Sequence, residues 1–117
     1  MQIITLAKLD SEPAVSPLFT DGVSRSAMFP TGDFNSGLIH FAAGSRNKFH
    51  VHTTDQVLII TDGTGVVATD SEERVVSAGD VILIPAGENH WHGAPHATAM
   101  SHITITGKDA KTTQNEP

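Results

Sequence analysis

Two His-x-His pairs constrain this chain more than any other feature. His50 and His52 lie in a stretch running from Gly44 to Gly63, GSRNKFHVHTTDQVLIITDG, and His90 and His92 in a second stretch opened by Gly79, GDVILIPAGENHWHG. In extended chain, residues i and i+2 point to one face, so each pair aims two imidazoles at one place. Thr53, Thr54 and Asp55 are small or turn-favouring, which lets the chain reverse and set Gln56 beside the first pair. A single strand histidine is ordinarily a hydrogen-bonded wall residue. Two pairs of equal spacing, each behind a glycine, fit a metal site better.

The ligand chemistry agrees. His50, His52, His90 and the amide oxygen of Gln56 form a set suited to one divalent transition metal with open positions, whether manganese, iron, cobalt, nickel or zinc. A carboxylate would cancel one unit of the ion's charge, whereas an amide oxygen cancels none. Such a site is therefore a stronger Lewis acid and a weaker trap for the ion. His92 faces the same interior as His90 in extended chain, and four roles stay open for it: a further ligand, a partner of a ligand, a general acid-base, or a barrel-wall histidine satisfied by a backbone carbonyl. A dication nearby would keep it neutral. His102 taken by itself is a lone strand histidine. Arg46 is either a solvated loop residue or an anchor for an anionic substrate. His40 is expected outside the core, His96 in a loop, and Trp91 packed on the face opposite its histidine neighbours.

Around the pairs the chain reads as short strands. Residues 3–6 suit an edge strand, 24–29 and 36–42 two further strands separated by a turn at Thr31-Gly32-Asp33, and 57–60 a strand buried on both faces. Asp62-Gly63-Thr64-Gly65 is a turn signal, after which 66–69 resume extended chain. Next come a polar tip at 70–73, a strand at 75–76, a turn at 78–80 and a strand at 81–84 stopped by Pro85. In the last strand, 97–106, Ala99, Ser101, Ile103 and Ile105 share one face, and Met100, His102, Thr104 and Thr106 the other. No window has convincing helical periodicity. Closely spaced strands with glycine turns imply an all-β sandwich or barrel, and the jelly roll is the barrel whose mouth accepts a buried site.

Length and charge set the limits. With 117 residues the chain forms one core. Residues 1–107 read as a single barrel domain, and 108–117, KDAKTTQNEP, have almost nothing to bury and are expected to fray. A formal charge of −6 argues against nucleic acid and against an anionic membrane surface. No apolar run approaches the roughly 18 residues of a membrane span. No secretory leader is evident, so a cytoplasmic location is the default expectation. The absence of cysteine removes disulfides and thiolate chemistry.

The spacing Gly44-x5-His50-x-His52-x3-Gln56-x6-Gly63, with Gly79-x5-Pro85-x-Gly87-x2-His90 after it, resembles the paired motifs of the cupin family over nearly the whole chain. It departs in having Gln56 where most such cupins have Glu, and Ala94 in place of a late Asn. Within the family it is similar to small single-domain bacterial cupins of the manganese-dependent hydroxynitrile lyase type. Those have a site of three histidines and one glutamine, and a segment like His90-Trp91-His92-Gly93 followed by Thr98-Ala99-Met100-Ser101-His102. The resemblance implies a cupin jelly-roll β-barrel (a double-stranded β-helix) with manganese, or next iron, on His50, His52, Gln56 and His90. It further implies catalytic roles for His92 and His102, a small carbonyl or cyanohydrin-like substrate, and a homodimer using the N-terminal segment. Two other readings stay open, a mononuclear iron dioxygenase and a metal- or small-ligand-binding module without turnover.

Overall fold

Alternation of apolar and polar residues, broken by glycine, gives a chain that is extended almost throughout. The computed structural model describes residues 1–30 and 32–117, so the turn expected at Thr31-Gly32-Asp33 lies partly outside the described residues. The strands in chain order are β1 (Glu12–Pro13), β2 (Val23–Ala27), β3 (Phe34–Phe41), β4 (Ser45–Arg46), β5 (His50–His52) and β6 (Gln56–Thr69). They continue with β7 (Glu73–Ser77), β8 (Val81–Ile84), β9 (His90–Ala94), β10 (Met100–Gly107) and β11 (Thr112–Gln114). A single 3₁₀ turn, Leu6–Lys8, is the only helical element among the described residues, and none of their helices is long and apolar enough to cross a membrane.

All the strand pairings are antiparallel, in the order β1-β2-β3-β10-β6-β9-β5-β11, with β4 on β9 and both β7 and β8 on β6. Strand β6 joins the two halves. Its first residues pair with β10 and β8, and its last with β9 and β7. The sheet thereby curls around a core of Val23, Ile39, Phe41, Leu58, Ile60, Val67, Val76, Ile84, Ala94 and Met100. This is the expected all-β jelly roll. Alternation along β10 holds as well, with Met100 and His102 buried inside and Ile103 and Ile105 half-buried on the outer face.

Four local expectations change. Asp62-Gly63-Thr64-Gly65 does not turn, because β6 runs through it as one strand of 14 residues. The register against β10 slips at Thr61, and Gly63 two residues on has φ of 75°, so the strand bulges and bends between sheets while staying paired. Residues 57–60 are buried on one face only: Leu58 and Ile60 are inside, and Val57 and Ile59 are half-covered. Residues 3–6 form no strand, since within one chain they meet no sheet edge, and Ile3 is 82% exposed. The tail expected to fray is instead ordered on β5, with Thr112, Thr113 and Gln114 opposite His52, Val51 and His50. Its residues bury little, but backbone ladder bonds hold it, and hydropathy does not register those.

The bend in β6 gives a test. A methyl at position 63 would collide with the carbonyl of Ala99 and demand a left-handed backbone from a residue with a Cβ. Gly63→Ala should cost about 2 kcal/mol or more, from about 1–2 for the backbone and about 1–3 for overpacking. A urea midpoint equal to that of the unmodified protein would contradict this account of the bend.

Candidate metal centre

The β5/β9 ladder places His50 directly opposite His90. Both rings are buried, while His52, two residues along β5, is half-buried on the same face. One ring nitrogen from each of His50, His52 and His90 lies within 4.8 Å of the others. The tight turn after β5 returns the chain as β6, whose first residue is Gln56. Its Oε1 lies 3.0 Å from Nε2 of His90.

Hydrogen bonds fix which atoms face the centre. His50 Nδ1 lies 2.6 Å from the carbonyl of Lys48, and His90 Nδ1 lies 2.8 Å from the carbonyl of Glu88. A carbonyl only accepts, so both rings donate from Nδ1 and keep a lone pair on Nε2. Gln56 donates its amide to Oγ1 of Thr104 at 2.9 Å, which turns its oxygen toward His90. Two acceptors therefore face each other across 3.0 Å with no proton between them. Nε2 of His52 is buried and has no hydrogen-bond partner among the described residues. Unpaired buried acceptors are costly, and a divalent cation placed among them removes that cost. The residues present fit such an ion.

Protonation offers no alternative remedy. Burial first, then the neighbouring His90, pushes His50 down to about 3. Burial and His90 likewise push His52 down to about 4. Burial lowers His90 too, against the opposing pull of the Glu88 carbonyl and carboxylate. All three rings are neutral at pH 7, the state that metal coordination requires.

Beside the cluster lies a second imidazole pair. His102 Nε2 is 2.9 Å from His92 Nδ1, and both rings are buried. Burial holds His92 far below the ordinary imidazole value, with His102 the next cause, and holds His102 at about 4. Asn47 anchors His92 from the other side. Its Oδ1 accepts the His92 backbone N–H at 2.8 Å, and its Nδ2 lies 3.2 Å from the ring Nε2. The two histidines face a cavity of about 230 Å³, lined also by His50, His52, Gln56, Leu18, Ile39, Phe41, Thr104 and Thr106. Its size suits a small organic molecule. Among the described residues no carboxylate lines it, and imidazole is the only base of theirs ordinarily free at neutral pH along its walls.

The fold thus brings together all six singled-out residues: His50, His52, Gln56 and His90 at one focus, and His92 and His102 beside it. Arg46 neither lines the cavity nor stands free in solvent. It pairs with Glu116 at 2.6 Å and lies 4.7 Å over the ring of Trp91. Trp91 packs away from the main core, with Val66, Ala68 and Phe49, as its phase in β9 implies. His40 bonds Ser101 on the outer side, and His96 is exposed. Asn47, Thr104 and Thr112 are not singled out by the sequence. Thr104 has a signal, since it shares the strand phase of His102; Asn47 and Thr112 have none.

Comparison with known proteins matches residues 37–106 to the cupin domain family. The (R)-mandelonitrile lyase of Granulicella tundricola is 40% identical over 68 residues, 57% of this chain and 52% of the lyase. An acireductone dioxygenase of Leptospira biflexa is 45% identical over 49 residues, 38% of this chain and 28% of the dioxygenase. The chain thus spans about half the length of the first of these curated relatives and less of the second. Among solved structures, a cupin-like protein of Thermotoga maritima superposes with a TM-score of 0.83 at 27% identity, covering 89% of this chain and 84% of that one.

Proposed function

The chain belongs to the cupin family, and on that footing we propose that it is a metal-dependent lyase cleaving a small cyanohydrin-like substrate to a carbonyl compound and cyanide. The observation that carries this reading is the buried, neutral His92–His102 pair facing a cavity without carboxylates, next to three converging imidazoles. Likeness to a mandelonitrile lyase over 68 residues supports it. His50, His52, Gln56 and His90 are the residues we assign to the ion, with manganese first and iron next. When bound, such an ion supplies Lewis acidity toward the substrate oxygen.

The chain's own residues do the rest. Ile39, Phe41 and Leu18 give the organic part of the substrate an apolar wall. His92 accepts the hydroxyl proton at Nε2, releasing the Asn47 amide that otherwise donates there, while its Nδ1 stays bonded to His102. As that O–H bond breaks, the carbon–oxygen bond becomes a carbonyl and the electrons of the carbon–carbon bond leave with cyanide. The proton on His92 then passes to cyanide, so hydrogen cyanide departs and the imidazole is neutral again. His102 steadies the departing anion. The likeness to acireductone dioxygenases supports a second reading, an iron-dependent oxygenase on the same ligands.

Elemental analysis of untagged protein should find one divalent ion per chain. The His50→Ala/His90→Ala variant should carry none, and metal retained there would place the ion elsewhere. Manganese-loaded protein should release benzaldehyde from mandelonitrile without oxygen, and His92→Ala should lose about 10²-fold or more while keeping its metal. No release above the buffer rate, together with iron content and oxygen uptake, would favour the oxygenase instead.

We further propose that the protein works as a homodimer. Register places Ile103, Ile59 and Val81 in one outward row, and Ile105, Val57 and Leu83 in the next. Val81 and Leu83 are 66% and 61% exposed on β8, whose far edge pairs with nothing among the described residues. An apolar face beside a bare edge is an aggregation liability that a second copy removes. Light scattering at micromolar concentration should report twice the chain mass; a monomer would refute the arrangement.

A further inference from the structure

Each histidine of the three-imidazole cluster is held at Nδ1, but one is held differently. His50 and His90 are bonded to backbone carbonyls two residues before them in their own segments. His52 has no such neighbour. Its Nδ1 lies 2.8 Å from Oγ1 of Thr112, sixty residues away in the chain. Thr112 is the direct cross-strand partner of His52 in the β11/β5 ladder, which puts the two side chains on one face.

The difference is chemical as well as topological. A carbonyl only accepts, so it settles the tautomer of its ring, whereas a hydroxyl donates or accepts. For Nε2 of His52 to offer its lone pair, the ring must donate from Nδ1, and the Thr112 hydroxyl must receive. That hydroxyl belongs to an exposed residue, so its own proton can turn to water. Strand β11 is itself held down by Asn115 and Glu116 at its C-terminal end. The Glu116 carboxylate accepts from the backbone N–H of Phe49 at 2.9 Å and from Arg46 at 2.6 Å, and Asn115 donates to the Phe49 carbonyl at 2.8 Å.

We propose that Thr112 is a positioning residue of the metal centre: its hydroxyl accepts the Nδ1 proton of His52 and so aims the Nε2 lone pair at the ion. The docked C-terminal segment is then part of the centre, although it contributes no ligand. This inference rests on the proposal that His50, His52, Gln56 and His90 bind a metal. Partners of this kind typically account for about 10–100-fold in metal affinity.

The test is titration of metal-free protein with Mn²⁺, and with Co²⁺ read by its visible absorption, for the unmodified protein, Thr112→Ser and Thr112→Val. Thr112→Val should bind about 10–100-fold more weakly with an altered Co²⁺ spectrum, while its thermal midpoint without metal stays near that of the unmodified protein. Thr112→Ser, which keeps the hydroxyl, should restore both affinity and spectrum. Unchanged affinity in Thr112→Val would overturn the proposal, as would equal losses in Ser and Val, since the hydroxyl would then not be what matters. Failure of the unmodified protein to take up either ion would instead remove the metal-site reading, and this inference with it.

Discussion

Lone pairs that face one another without a proton between them are the constraint on which this molecule turns. His50 and His90 spend their single proton outward on carbonyls, and Gln56 spends its amide on Thr104. What remains directed inward is acceptor against acceptor. An unsatisfied buried polar group costs about 1–3 kcal/mol, and burial has already made imidazolium an expensive escape. A fold that keeps such an arrangement has room for a cation to satisfy it. An ion bound there would be linked to folding stability, since it would bind the folded chain alone.

The sheet exists to hold that arrangement still. Strand β6 begins with Gln56 at the centre, crosses the molecule, and ends pairing with β9, the strand that carries His90 and His92. One continuous strand thereby joins an amide oxygen to the ladder that positions two imidazoles. The bulge at Thr61 and the left-handed backbone of Gly63 allow this, because an unbent strand could not belong to both halves of the barrel. The same strand exposes Val57 and Ile59 outward, so the strand that builds the site inside also builds an apolar surface outside.

Much of this is legible in the sequence because side-chain direction in a strand has a period of two. That rule alone sends His50 with His52, His90 with His92, and Met100 with His102 to shared faces. Glycine is less informative. Gly63 and Gly65 signal a break, but the same freedom serves a tight turn or a bend inside a paired strand, and only the identity of the neighbouring strands decides between them. The C-terminal segment misleads for a related reason. Residues 112–116 are polar, and they are held by main-chain pairing to β5 and by the Arg46–Glu116 contact. Neither leaves a trace in hydropathy. Asn47 is equally silent, since nothing local says that an asparagine three residues before a histidine will brace another one far along the chain.

Strand β5 is three residues long, and its ladder neighbours are β9 and β11, both made much later in the chain. A strand that short has no stable shape alone. While the polypeptide is being synthesised, His50 and His52 therefore emerge as a loose dipeptide-spaced pair with nothing to aim them, and residues from both later strands must appear before they are fixed. The order of the chain thus leaves the three-imidazole cluster to be assembled only once β9 and β11 have been made.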